Sequence, residues 1–368
     1  MQKFILKPLV VENIESELEK IGFDIAYRSK ASEKYKYKTF KIFDLTLPQA
    51  NILKQTALSL GADCAVHRDV LTSNIEKTDA ILGGSYSQLK KICEKLKHQP
   101  FSMKILAENI LSQLEVQPRK TKLVGILNVT PDSFSDGGNF LDANAAKKQF
   151  YQLIEDGADM IDIGAESTRP KSNPVDAQIQ IERLKPLLSD LQDFPISIDT
   201  RSSDVAKFAL DCGVKIINDV SGLNFDSKMI DVVSEYDATI VIQHSTAKAE
   251  DLPKYNDIVQ DVYKSLLNKV NYAESKGVNK IILDVGIGFG KSRENNLELL
   301  DRIEEFYSLD KPMMVGLSRK SFIGVKDNDN YLKDSLSLAF SYPLIKKGVD
   351  YLRVHNVKLH KQLLNSVI

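Results

Sequence analysis

The sequence predicts a two-part α/β chain, a (β/α)8 TIM barrel preceded by a small α/β N-terminal domain. From Leu123 onward short β-rich apolar runs alternate with charged or amphipathic segments of helical length, and there are eight such runs. The clusters of Asn, Asp, Glu, Ser, Arg and Lys fall at the C-terminal end of a run or in the loop just after it. Strand–helix alternation builds parallel sheets, and a barrel of this kind carries its chemistry on the C-terminal face. A doubly wound open sheet would more often show five or six strands and a nucleotide-binding glycine loop after the first. The loop after Val129 is of a different kind.

Residues 1–115 have mixed character. Phe4 to Leu6 and Tyr37 to Leu45 read as strands, while Gln49 to Leu60 and Tyr86 to Leu96 have helical spacing. Gly83-Gly84 reads as a turn, because no Lys-Ser/Thr pair follows to complete a phosphate loop. The polar stretch from Leu111 to Lys122, with Pro118, Arg119 and Lys120, reads as a linker, so the division expected is 1–115 and 116–368. The barrel strands follow at 123–129, 160–164, 195–199, 215–219, 238–243, 280–284, 312–317 and 351–355, with a last helix over about 357–367.

The chain has 368 residues, 43% of them hydrophobic, which is enough for a sizeable core. With 49 basic against 50 acidic residues the net charge is −1, so no electrostatic argument favours nucleic acid or an anionic membrane as partner. Any anion site must be built from local charge. Cys64, Cys93 and Cys212 are odd in number and far apart, which argues against a disulfide framework. Cys64 and His67 have metal-like spacing, but no second pair completes a zinc site. The N-terminal apolar run is too short for a secretory signal and no stretch is long enough to span a bilayer, so a cytoplasmic enzyme is expected.

The most informative segment is Gly125-Ile-Leu-Asn-Val-Thr-Pro-Asp-Ser-Phe-Ser-Asp-Gly-Gly138, a buried-strand pattern breaking into a polar loop. Further segments stand in order behind it: Asp162-Ile-Gly-Ala-Glu-Ser-Thr-Arg-Pro170, Ser197-Ile-Asp-Thr200, Ile217-Asn-Asp-Val-Ser-Gly222, Leu283-Asp-Val-Gly-Ile-Gly-Phe-Gly-Lys291, Ser318-Arg-Lys-Ser-Phe-Ile-Gly324 and Leu352-Arg-Val-His355. Together, over the last two-thirds of the chain, they closely resemble the dihydropteroate synthases. The resemblance implies condensation of 6-hydroxymethyl-7,8-dihydropterin diphosphate with 4-aminobenzoate to 7,8-dihydropteroate and diphosphate, with Mg2+ as cofactor. It implies these small molecules as partners and leaves room for a homodimer.

By the same resemblance, Asp199, Asn218 and Asp284 read the pterin edge, whose amidine-like donors a carboxylate matches with paired hydrogen bonds. Lys320 bridges the pterin and arylamine regions, and Arg353 stacks on the pterin and reaches the diphosphate with His355. Asp199, Lys320 and Arg353 are the expected catalytic residues. The plainer reading of Arg353 is a buried salt bridge to Asp162 or Glu166, because a barrel-interior cation needs an anion. Asn128 is expected to ligate Mg2+ bound to diphosphate. Phe134, Thr168, Arg169, Pro170, Phe289 and Ser321 are expected at the substrate site, with Phe134, Thr168, Pro170, Phe289 and Ser321 shaping an aminobenzoate slot where sulfonamide-like mimics compete. The loops 130–138 and 167–173, each with a rigid Pro, have a composition suited to ordering over ligand.

Four positions depart from the family pattern: Ala165 for Gly, Val285 for Pro, Gln243-His244-Ser245 for Met-His-Met, and Asn356 for Asp in His-Asp-Val. Two rival readings are a corrinoid methyltransferase on the same pterin-binding barrel and a noncatalytic pterin-binding scaffold. The Glu166-Ser-Thr-Arg-Pro170 loop and the Ser318-Arg-Lys-Ser321 turn speak against the first. The joint presence of Asn128, Thr168, Arg169, Lys320, Arg353 and His355 speaks against the second.

Overall fold

The computed structural model describes residues 6–9, 13–115, 119–129, 139–166, 175–189, 194–245, 253–325 and 329–367. The chain divides between Gln117 and Pro118 into two compact units, two residues beyond the expected boundary.

The first unit runs α1 (Ile14–Lys20), α2 (Arg28–Ser32), β1 (Tyr37–Thr46), α3 (Leu47–Leu58), β2 (Asp63–Val66), β3 (Lys77–Ser85), α4 (Tyr86–Leu96) and α5 (Met103–Leu114). Its antiparallel sheet has the order β1-β3-β2. Helices α3 and α4 each start at a capping box, Thr46 with Gln49 and Ser85 with Gln88, which satisfies free backbone donors of the first turn. Leu89, Ile92, Cys93 and Leu96 recur at helical spacing and are buried with Leu53, Leu82 and Met103 in the unit's core. Two expectations need correction. Gly83 and Gly84 lie in β3, where a Cβ on Gly83 would come within 2.6 Å of the Tyr37 hydroxyl. Leu111 to Leu114 belong to α5 rather than to a linker. The expected strand at Phe4 to Leu6 lies, apart from Leu6, outside the described residues.

The second unit begins at β4 (Lys122–Asn128) and continues through α6 (Asn139–Glu155), β5 (Met160–Gly164), α7 (Ala177–Leu188), β6 (Ile196–Asp199), α8 (Ser203–Asp211), β7 (Ile216–Asp219) and α9 (Met229–Glu235). It ends with β8 (Thr239–Gln243), α10 (Ile258–Ser275), β9 (Ile281–Asp284), α11 (Arg293–Asp301), β10 (Met313–Gly316), α12 (Asn330–Lys346), β11 (Tyr351–Val354) and α13 (Val357–Val367). The eight strands form a closed parallel barrel in chain order, and β11 pairs with β4 to close it. All eight expected strands are present, with ends within two residues.

The barrel wall is apolar on both faces, as a parallel sheet under helices requires. Outward residues such as Leu123, Ile161, Ile198, Ile217, Ile240 and Leu283 enter the sheet–helix core. Inside, Val124, Met160, Val241, Ile282 and Met314 form a separate apolar layer, with Ile216 and Tyr351 packed against it. Strand side chains alternate with period two, so the next inward residue lies two positions along. On β5, β7, β8, β9, β10 and β11 those residues are Asp162, Asn218, Gln243, Asp284, Gly316 and Arg353. An apolar floor therefore carries a polar layer directly above it.

Candidate active site

The polar layer is organised around Asp162, a fully buried carboxylate in the middle of β5. Its oxygens accept from Ser197 Oγ at 2.5 Å, Asn218 Nδ2 at 3.0 Å and Arg353 Nε at 2.6 Å. Arg353 also donates from Nη2 to Asp199 Oδ2 at 2.8 Å. Of the two partners the plainer expectation offers Arg353, the structure selects Asp162 and adds Asp199, while Glu166 binds Arg201 at 2.7 Å. Four strands converge on one guanidinium and two carboxylates.

Asp199 Oδ1 is buried and has no hydrogen-bond partner among the described residues. Burial pushes this carboxyl up to about 7, against the opposing pull of Arg353. A buried acceptor without a donor is costly, so the geometry is suited to a ligand that brings N–H groups. Asp284, at the end of β9, is also raised by burial, with Lys320 opposing. Its Oδ1 accepts the Gly286 amide at 2.7 Å.

Lys320 follows β10 in the Ser318-Arg319-Lys320 turn. Its Nζ donates to the Ile287 carbonyl at 2.5 Å and lies 4.5 Å from the centre of the Phe289 ring. Burial lowers this amine to about 8, with Asp284 working in the other direction. Ser318 Oγ contacts both the backbone N–H (3.3 Å) and Nδ1 (3.0 Å) of His355. Ser321 is exposed at the start of the short 3-10 turn Ser321–Ile323. The structure therefore gathers Asp199, Asn218 and Arg353 in one contact network, and Asp284, Phe289 and Lys320 in a second beside it.

Asn128 ends β4 with its side chain half-buried. A Cβ placed on Gly164 would lie 3.5 Å from Asn128 Oδ1 and 3.8 Å from Asp199 Oδ2, so glycine keeps open the space these oxygens border. Among the described residues no cluster of three His, Cys, Asp or Glu is arranged to hold a metal ion. A single amide oxygen still suits Mg2+ that takes its remaining ligands from a diphosphate and water. Phe134, Thr168, Arg169 and Pro170 lie outside the described residues.

The departures from the family pattern settle into defined places. Ala165 and Val285 are buried in the outer core. Gln243 turns its Nε2 to the Val220 carbonyl at 3.1 Å. Asn356 caps α13 through the Leu359 amide at 3.1 Å. Sequence reasoning missed two structural contributors. Asp162 was weighed only as a partner for Arg353, although an Asp inside an apolar strand signals a barrel-interior group. Lys291 was left without a role; its buried Nζ donates to the carbonyls of Gly286 (2.8 Å), Phe289 (3.0 Å) and His244 (3.2 Å), tying the loops after β8 and β9 together.

Comparison with known proteins agrees with this geometry. The sequence model of a family described as pterin binding enzyme matches residues 124–355. Over 373 residues, 98% of this chain and 97% of the relative, the sequence is 33% identical to a bifunctional dihydropteroate synthase/dihydropteroate reductase of Helicobacter pylori. A dihydropteroate synthase of Staphylococcus haemolyticus is 39% identical over 255 residues, 67% of this chain and 94% of that one. The crystal structure of a dihydropteroate synthase from Clostridium difficile, solved in the presence of pteroic acid, matches with a TM-score of 0.64 and 39% identity over 68% of this chain and 97% of that chain.

Proposed function

From a chain that belongs to the pterin-binding enzymes, and among them to the dihydropteroate synthases, we propose a division of labour among its own residues. The reaction joins the pterin methylene of 6-hydroxymethyl-7,8-dihydropterin diphosphate to the amine of 4-aminobenzoate and releases diphosphate. The observation that carries the reading is the unpartnered, buried Asp199 Oδ1 facing the polar layer.

Asp199 and Asp284 accept the pterin N–H groups, and Asn218, held by Asp162, reads the same edge. As the methylene–oxygen bond to diphosphate breaks, positive charge grows on the pterin, and these carboxylates stabilise it more than they stabilise the bound substrate. Arg353, with His355, faces the leaving diphosphate. Asn128 would hold Mg2+, which when bound lowers the charge on the leaving group. Lys320, with its ammonium over Phe289, spans the pterin and arylamine sides, and Ser321 meets the aminobenzoate carboxylate. The neutral arylamine attacks through its own lone pair, so a general base is not required for the attack, and the ammonium it becomes then gives its proton to the released diphosphate or to water. Sulfonamide-type mimics compete for the same slot. Three free cysteines suit a reducing cytoplasm, and no described helix is long and apolar enough to cross a membrane.

Asp284→Ala tests the assignment. Removing one partner from a buried hydrogen-bonded charge should weaken pterin diphosphate binding by at least about tenfold while the barrel still folds. Calorimetry showing unchanged affinity would remove Asp284 from the site.

The charge states also predict a pH profile. Asp199 must be ionised to accept donors, and its raised value of about 7 makes binding fall as pH drops below that. Lys320 must be protonated, and its lowered value of about 8 makes activity fall as pH rises past it. A bell-shaped kcat/KM for the pterin substrate follows, and Lys320→Arg should move only the alkaline limb upward. An unchanged alkaline limb in that variant would assign the limb to another group.

The match to the Helicobacter pylori enzyme runs through the first unit as well as the barrel, and this favours a second activity. In it, 7,8-dihydropteroate takes a hydride at C6 from a reduced nicotinamide or flavin and a proton at N5, giving the tetrahydro form. The first unit holds none of the condensation residues, so a chain shortened to begin at Val116 should keep synthase activity and lose the reduction. Loss of condensation from a shortened chain that circular dichroism shows to be folded would place part of the synthase site in the first unit.

A further inference from the structure

The geometry points to a positioning device behind the Lys320 turn: Asp334 and Asn356 clamp Arg319, and through it they aim Lys320 and Ser321 at the arylamine. This rests on the assignment of those two residues to aminobenzoate made above.

Arg319 has a φ of +58°, a left-handed backbone that a non-glycine side chain adopts only when its surroundings hold it there. What holds it is specific. The Arg319 guanidinium makes a two-pronged pair with Asp334 on α12, Nε to Oδ1 at 2.7 Å and Nη2 to Oδ2 at 2.8 Å. The Arg319 backbone N–H donates to Ser337 Oγ, one turn along the same helix, at 3.2 Å. On the other side of the carboxylate, Asn356 Nδ2 donates to Asp334 Oδ2 at 3.2 Å. Asp334 is only 5% exposed, so its charge depends on these donors rather than on water.

Asn356 is the informative member. Its Oδ1 caps α13 through Leu359 while its Nδ2 faces Asp334. The residue usual in the family here is Asp, which caps a helix as well as Asn does but has no N–H to give. In this chain a carboxylate at 356 would face the Asp334 carboxylate directly, at the distance where Asn356 now donates. The family-typical residue is therefore the damaging one here, and the damage reaches the site through the turn rather than through the fold.

The test compares full-length Asn356→Asp, the double variant Asn356→Asp with Asp334→Asn, and Lys320→Gln. Readouts are kcat, KM for 4-aminobenzoate, and the calorimetric Kd for the pterin diphosphate. A small displacement of a substrate-aiming group is costly, so Asn356→Asp should worsen kcat/KM for aminobenzoate about tenfold or more while the pterin Kd moves less than about threefold. The double variant removes the repulsion between two carboxylates but leaves Arg319 one acceptor in place of two, so it should recover part of that loss. The clamp is overturned if Asn356→Asp leaves aminobenzoate kinetics unchanged, if it weakens both substrates alike, or if the double variant is no better than the single. If Lys320→Gln itself leaves aminobenzoate kinetics unchanged, the assignment of Lys320 fails and takes the clamp with it. Loss in Lys320→Gln without loss in Asn356→Asp overturns the clamp alone.

Discussion

Arg353→Met should lower stability by about 3–5 kcal/mol and reduce kcat/KM by roughly a thousandfold, because it strips the shared cation from two buried carboxylates. Asp162 keeps Ser197 Oγ and Asn218 Nδ2, so its loss is partial. Among the described residues Asp199 keeps no donor: its Oδ2 has Arg353 as its ion-pair partner and its Oδ1 is already unpaired. With the guanidinium gone, the Asp199 carboxyl rises further from about 7 and is protonated through the neutral range. Denaturant unfolding and pterin calorimetry on the same protein separate the two effects. Native stability together with native affinity would show that the ion pairs contribute to neither.

Gly286→Ala should be nearly as severe, by a different route. Gly286 has a φ of +69°, and a Cβ there would lie 1.9 Å from the backbone carbonyl oxygen of His244. No rotamer can relieve a clash with main chain. The loops after β8 and β9 must separate, breaking the Lys291 bridge and moving the amide that Asp284 accepts. A loss of about 3 kcal/mol or more is expected, with pterin binding lost in the fraction that folds. Gly324→Ala is the matched control, since its φ is +87° with nothing within 4 Å of the added Cβ. That variant should lose only about 1–2 kcal/mol, the backbone cost of the left-handed conformation. Equal melting shifts for the two variants would show that conformation, not the clash, dominates.

The barrel was legible because its strands are buried on both faces and so read as unbroken apolar runs, each ending in a polar residue. The first unit was less so. β3 contains Asp79 and the Gly83-Gly84 pair, which look like a turn; the Tyr37 hydroxyl lying where a Gly83 side chain would be explains the first glycine, and that contact comes from a residue of the partner strand 46 positions away in sequence. The places of Asp199, Asn218 and Asp284 at or near strand ends are legible in the sequence, while their pterin-reading role is what the family motifs imply. What a linear reading cannot supply is which carboxylate an interior arginine selects. Arg353 reaches Asp162 and Asp199, while Glu166, next in line after β5, points to Arg201. The choice follows from inward and outward alternation around a closed ring, which exists only once the register of neighbouring strands is set.

The ion pairs of Arg353 span 191 and 154 residues, and the strand that carries it forms the seam with the first barrel strand. During vectorial synthesis Asp162 and Asp199 both emerge before the cation they share, so this part of the interior passes through a stage of uncompensated negative charge. Seam formation is a contact of high sequence separation and is entropically slow. With the site assigned as proposed, ligand capacity and ring closure arrive in one event, and pterin binding should report completion of the fold: a nascent or C-terminally clipped chain would have most of its helices and strands and still bind nothing.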